Sequence, residues 1–181
     1  MKLFSILIII LLIICFLLAV VAIIYNKFQE LSIKTNEVEA NIDAVLRKRF
    51  DLLNKSINII KANTDAENEV LELIVKLRSR KLSNFELDRQ LYDAINEFNS
   101  YKEIYPELRE CDSFKKINLS LNESENEIIA LRQYYNDTIT KYNTLVKKFP
   151  SNIIAIMYKH KTKPYYDGKN MEDDIINDFK L

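Results

Sequence analysis

The side chains best suited to acid–base, nucleophilic or metal chemistry are scarce in this 181-residue chain: one His and two Cys. His160 is the sole imidazole, and with no second one it leaves little for a metal centre. Cys15 sits inside an apolar run and Cys111 lies far along the chain, so neither a disulfide framework nor a paired metal-binding motif is expected. Glu123, Glu125 and Glu127 alternate closely enough to pair as acid and base, but only if buried in a cleft; a solvated face is the commoner use of such a run. With Gly168 as the sole glycine there is no material for a phosphate-cradling loop. No catalytic residue, metal ligand or cofactor site is therefore expected, and an enzyme is a poor match.

The remaining patterned residues are aromatic, amide and basic. A Tyr-Asn pair occurs at Tyr135-Asn136 and again at Tyr142-Asn143, and a third follows the apolar run at Tyr25-Asn26. Arg47, Lys48 and Arg49 form one basic cluster; Lys159, His160, Lys161 and Lys163 form another. Overall, 26 Lys plus Arg balance 26 Asp plus Glu, which argues against nucleic acid as a partner, because phosphate binding needs a basic excess. Asn118, Asn122 and Asn136 fit glycosylation sequons, but such triplets arise readily in an Asn-rich chain and fall within an expected helix.

The elements that must position these groups are helices, since one Gly and three Pro supply almost no tight turns. From Leu3 to Ile24 no residue is charged and none is Pro or Gly, a length that spans a hydrocarbon core of about 30 Å as a helix. A cleaved signal peptide is the competing reading, but its apolar region is typically about 7 to 15 residues and ends at small residues, whereas this run ends Ile23-Ile24-Tyr25-Asn26. The segment is expected to anchor the chain in the cell membrane, with Tyr25 at interfacial depth. Lys2 on one side and Lys27 with Lys34 on the other barely separate the two orientations; a cytoplasmic domain is the favoured one.

Beyond the span, Val38, Ile42, Val45, Leu46, Leu53, Ile57 and Ile60 recur at three- and four-residue steps, so the membrane helix is expected to continue into the domain. Asn63-Thr64-Asp65 offers a turn, and Val70, Ile74 and Leu77 line a second helix. A break near Leu82-Ser83-Asn84 precedes a third, carrying Leu87, Leu91, Ala94, Ile95 and Phe98. Pro106 limits helix before it, and Asp112 is a candidate cap for a fourth. On that fourth helix Phe114, Leu121, Ile128, Tyr135, Tyr142 and Phe149 lie seven apart, with Ile117, Ser124, Leu131, Thr138 and Leu145 on the companion stripe, which is a heptad seam. The seam accounts for both Tyr but not for the Asn that follows each.

These elements predict an all-α fold, an N-terminal transmembrane helix continuing into an elongated antiparallel four-helix, coiled-coil-like bundle. Setting Asn26 beside Phe149 brings Arg132 near Asp43, and Lys48 and Arg49 near Glu125 and Asn126, within about one turn. Asp43, Lys48, Arg49, Asp51, Arg78, Glu125, Arg132, Asn136, Asn143 and Asn26 are the candidate interhelical polar residues. Headgroup binding by Arg47, Lys48 and Arg49 is disfavoured, because Arg47 lies about 30 Å beyond the span on a straight helix. The same register puts Asn143 level with Asn26, where their amides could join the two long helices. Ser151 to Tyr166 mixes apolar residues, lysines and two Tyr as an interfacial segment does; Tyr25, Lys159, Lys161 and Lys163 are the membrane-interface candidates, against the alternative that Ile153, Ile154 and Ile156 cap the base of the bundle.

Several motifs carry a family resemblance. "KRFDLL" from Lys48, "LRS" from Leu77, "YPEL" from Tyr105 with Phe114, "RQYYNDTITKYN" from Arg132, "FPSNIIA" from Phe149 and "KPYY" from Lys163 resemble the LemA family in order and spacing, over roughly residues 1 to 166. The chain departs from the family's usual Arg-Arg-x-Asp-Leu-Ile-Pro-Asn-Leu at Leu53-Asn54-Lys55, so the Pro-Asn pair is missing. The resemblance implies a bacterial, membrane-anchored antiparallel helical bundle without known catalytic residues, in a family of which some members in magnetosome-forming bacteria are associated with building internal membranes. The expected organisation is an anchor over 1–25, a LemA-like bundle over 26–150, a membrane-proximal segment over 151–166 and a flexible acidic tail over 167–181. A scaffold or adaptor is the favoured role, with the lipid bilayer and a protein as partners and homo-oligomers open; an accessory or sensory subunit relaying a membrane-proximal signal is the alternative.

Overall fold

The computed structural model describes residues 2–63 and 83–166, the side chains of Lys2, residues 61–63 and Lys102 excepted. The second expected helix with Val70, Ile74, Leu77 and Arg78, and the acidic tail from Asp167, lie outside the described residues. Among those described the chain is all-α, with no strand: α1 spans Lys2–Asn63, α2 Asn84–Ile104, α3 Pro106–Glu110, α4 Asp112–Lys147 and α5 Ser151–Met157.

Local chemistry explains the boundaries. Nothing in α1 interrupts its 62 residues, so the apolar run and the amphipathic part belong to one helix. At α2 the break expected near Ser83 is a capping box: the Glu86 N–H donates to Ser83 Oγ at 3.3 Å and the Ser83 N–H donates to the Glu86 carboxylate at 3.0 Å. That backbone donor, with the Ser83 hydroxyl, holds the Glu86 carboxyl below its ordinary value. Pro106 ends α2 by forcing Tyr105 into extended backbone, and it then serves as the first residue of α3, where its missing N–H costs nothing. Asp112 is not the residue flanking α4 but its first residue, with Cys111 before it; a carboxylate there still complements the positive end of the helix dipole.

The chain forms two compact units. One comprises Val38–Tyr134 together with Tyr166. Its core is the expected α1 stripe, Val38, Ile42, Val45, Leu46, Leu53, Ile57 and Ile60, packed with Leu91, Ala94, Ile95 and Phe98 of α2 and with Phe114, Ile117, Leu121 and Ile128 of α4, all buried. Phe98 stacks on Phe114 at 4.5 Å between ring centroids. The buried seam hydroxyl of Ser124 donates to the Leu121 carbonyl one turn back, so it enters the core without an unmet hydrogen bond.

The other unit comprises Met1–Glu37 and Tyr135–Tyr165. Phe28, Leu31, Tyr142, Ile154 and Ala155 form its core, with Val21, Ile24, Leu145 and Val146 packed against them. Tyr135 and Tyr142 are buried as the seam requires, but Phe149 is 74% exposed. The heptad count fails there because α4 stops at Lys147, so Phe149 lies beyond the helix and its seam.

Candidate functional site

Two polar constellations stand out, one in each unit. In the first, Arg49 of α1 is fully buried, its guanidinium bonded to Asp88 of α2 at 3.2 Å and to Glu125 of α4 at 2.5 Å. The other Asp88 oxygen accepts from Arg132 Nε of α4 at 2.7 Å and also pairs with its Nη2. Two guanidiniums and two carboxylates thus neutralise one another across three helices. Tyr166 closes the cluster: its ring lies 5.8 Å from the Arg132 guanidinium and edge-on to Phe85, while its hydroxyl donates to the Asn84 carbonyl at 3.2 Å. Burial, reinforced by the negative charge of Asp88, pushes the Tyr166 hydroxyl pKa well up. Buried charge of this kind ties α1, α2 and α4 to one another.

The second constellation lies beside the end of the apolar run. His160 stacks on Phe28 at 4.4 Å and 7°, and its Nδ1 lies 3.1 Å from the Tyr142 hydroxyl. Desolvation in this core raises the Tyr142 pKa. Asn143 supplies the answer to the repeated Tyr-Asn at its second occurrence. Its Nδ2 donates to the Lys163 carbonyl at 2.9 Å and its Oδ1 accepts from the Lys163 N–H at 2.8 Å, a two-point clasp that mimics a backbone ladder. Tyr supplies the packing and Asn binds the returning chain. The Lys163 ammonium lies 5.5 Å from the Tyr142 ring centroid, and the Tyr165 and Thr140 hydroxyls lie 3.2 Å apart.

The returning chain is itself turned by a two-bond helix stop. The N–H of His160 donates to the Ala155 carbonyl at 2.8 Å and that of Lys159 to Ile156 at 3.2 Å, the pattern of a Schellman motif, with Lys159 at φ 57° where glycine is usual. This stop directs His160 back onto Phe28.

Of the residues expected at interhelical polar positions, Lys48 pairs with Glu127 at 3.4 Å, Arg49 with Glu125 as the register required, and Arg132 with Asp88 rather than Asp43. Asp43 instead pairs with Arg47 on its own helix at 2.8 Å. Arg132 pairs with Asp88 because α2 brings a carboxylate to it that a register of the two long helices alone does not contain. Asp51 is exposed, on an open depression of about 420 Å³ lined by Asn54, Lys55, Ile57 and Asn58 of the same helix. Asn136 is half-buried and its carbonyl accepts from Thr140, whereas Asn26 is exposed and Asn143 is committed to Lys163, so the amide pair Asn26–Asn143 does not form. Arg78 lies outside the described residues. Among the interface candidates, Tyr25 packs on Tyr158 at 4.9 Å, Lys159 and Lys161 are exposed, and Lys163 turns inward. Lys27 and Lys34 each bridge to Glu30 at 2.7 Å, and the Lys27 contact foremost holds the Glu30 carboxyl down to about 2.

Sequence reading missed Asp88, although a signal existed: Asp88, Leu91, Ile95 and Phe98 share one three-four stripe, so a carboxylate occupies a core position. Among the described residues no group of three or more His, Cys, Asp or Glu is placed to hold a metal ion.

Fold and site together define a class: an all-α protein in which an exposed apolar N-terminal helix runs unbroken into helices locked by buried polar groups. The family model of the LemA family matches residues 38–177, most of the chain, and the protein belongs to that family. The match begins after the apolar run and extends past Tyr166. The LemA family is not a known enzyme family. Comparison with curated proteins finds no match.

Proposed function

We propose that this LemA-family chain is a single-pass, membrane-anchored scaffold or adaptor without enzymatic activity, holding its helical domain at the cytoplasmic face of the cell membrane. The observation that carries the anchor is the last turn of the apolar run. Val21 and Ile24 pack against the core formed by Phe28, Tyr142 and Ile154, while the side chains from Leu3 to Ala19 are exposed. A run of mean hydropathy 3.8 with none of its most apolar stretch buried needs a lipid environment, and cleavage behind it would strip two residues from a folded core. The buried charge cluster supports a scaffold, since ion pairs that join three helices hold their register and leave the outer faces for a partner.

The test combines fractionation with capture. Protein purified from membranes should resist carbonate extraction, and its intact mass should include Met1 to Ile24. In-membrane cross-linking should then yield a defined protein adduct. A mature mass lacking the apolar run rejects the anchor, and an intact anchored protein that never cross-links to another protein rejects the scaffold.

A further inference from the structure

Five exposed apolar side chains gather at one place: Phe149 (74%), Ile153 (51%), Ile156 (77%), Met157 (65%) and Tyr158 (50%). They follow from the two-sidedness of α5. Its Ser151, Ile154 and Ala155 face the core, which leaves Ile153, Ile156 and Met157 on the outer side. A soluble protein seldom leaves so many large apolar groups together without something to cover them.

Position within the unit indicates what covers them. Ile154 and Ala155 share a core with Val21 and Ile24, and the Tyr158 ring lies 4.9 Å from that of Tyr25, the first residue past the apolar run. Since α5 has seven residues, its whole length is about 10 Å, so every exposed side chain on it stays within roughly that distance of the end of the run. Lys159 and Lys161, both exposed, follow directly. An apolar face at the rim of a spanning helix, succeeded by lysines, fits the boundary between acyl chains and anionic headgroups, where interfacial helices bury their apolar side about 5–10 Å deep.

We infer that α5 with Phe149 is a second membrane contact: its outer face lies in the interfacial layer of the same bilayer that α1 crosses, with Lys159 and Lys161 toward anionic headgroups. The inference rests on α1 being a membrane anchor. The partner is lipid, because the run that fixes the position of the face is the one segment of the described chain requiring hydrocarbon.

The chain contains no Trp, which provides a clean probe. Full-length Ile156→Trp and, separately, Leu12→Trp are reconstituted into vesicles containing phosphatidylglycerol, with lipids brominated either near the ester carbonyl or near the chain end. Leu12→Trp reports the anchor and is expected to be quenched most by the deep bromines. Ile156→Trp is expected to show a blue-shifted emission, to be quenched more by the shallow bromines than the deep ones, and to be shielded from aqueous acrylamide. If Leu12→Trp is quenched while Ile156→Trp responds to neither bromine, the second contact is refuted and the anchor stands; a blue-shifted but unquenched Ile156→Trp would assign the face to protein instead. If neither position is quenched, the anchor itself fails and the inference with it. Met157→Trp, on an equally open position, repeats the measurement should the first variant misfold.

Discussion

Removing the negative charge of Asp88 should destabilise the protein more than any other conservative change on α2. The Asp88 and Arg49 side chains are 3% and 0% exposed, and Asp88 touches both guanidiniums of the cluster. Loss of one partner from a buried ion pair costs about 3–5 kcal/mol, because the remaining charge is left without compensation. Here Arg49 would retain Glu125 at 2.5 Å, and Arg132, 31% exposed, would turn to water. Asp88→Asn should therefore fall at the low end, about 3 kcal/mol, or roughly 6–12 °C in Tm for a chain of this length. Urea unfolding of the full chain in detergent micelles, followed by circular dichroism, measures it. The double variant Arg49→Met with Asp88→Leu should lose much less than the sum of its single changes, since it removes the desolvated charges together. A loss below about 1 kcal/mol for Asp88→Asn, or strictly additive changes in the double variant, would refute the cluster as an energetic lock.

Three further outcomes follow from the same geometry. Lys159→Gly should stabilise the protein by about 1 kcal/mol, because glycine takes the positive φ without a Cβ penalty; Lys159→Ala should not, and equal stability of the two variants would contradict the turn. Asn143→Ala breaks both bonds to Lys163 and should cost about 1–2 kcal/mol while accelerating hydrogen exchange at the Lys163 amide, with unchanged exchange as the contrary result. The raised Tyr166 pKa contributes stability that is complete below the unfolded value of about 10 and is lost as pH climbs toward the higher folded value. Stability of the unaltered protein should thus decline more steeply above about pH 10 than that of Tyr166→Phe, whereas parallel declines would mean that the hydroxyl is not held neutral by its surroundings.

The legible parts of this protein are those governed by one-dimensional rules. Absence of Gly and Pro, the charge-free stretch Leu3 to Ile24 and the three-four recurrence from Val38 to Ile60 suffice for an unbroken α1 with the right buried face, because helical periodicity depends only on spacing. The break near Ser83 and the limit set by Pro106 were legible for the same reason: capping and proline sterics act within a few residues. The alignment of Arg49 with Glu125 was also within reach, since two helices of known register predict which turns meet.

Tertiary structure decided what depends on a third element or on a turn. Arg132 selects Asp88 over Asp43 because α2 brings a closer carboxylate, and no spacing along α1 and α4 encodes that choice. Asn143 binds the Lys163 backbone because the helix stop at Lys159 turns the chain back, a left-handed residue that nothing in the local sequence announces. Helical pattern is a property of neighbours within one or two turns, whereas the partner of a polar side chain is set by whichever desolvated group folding brings within about 3 Å. The sequence by itself determined the helices, their buried faces and the apolar run. Only packing determined which charges neutralise one another, and that Phe149, Ile153 and Ile156 remain uncovered beside the end of that run.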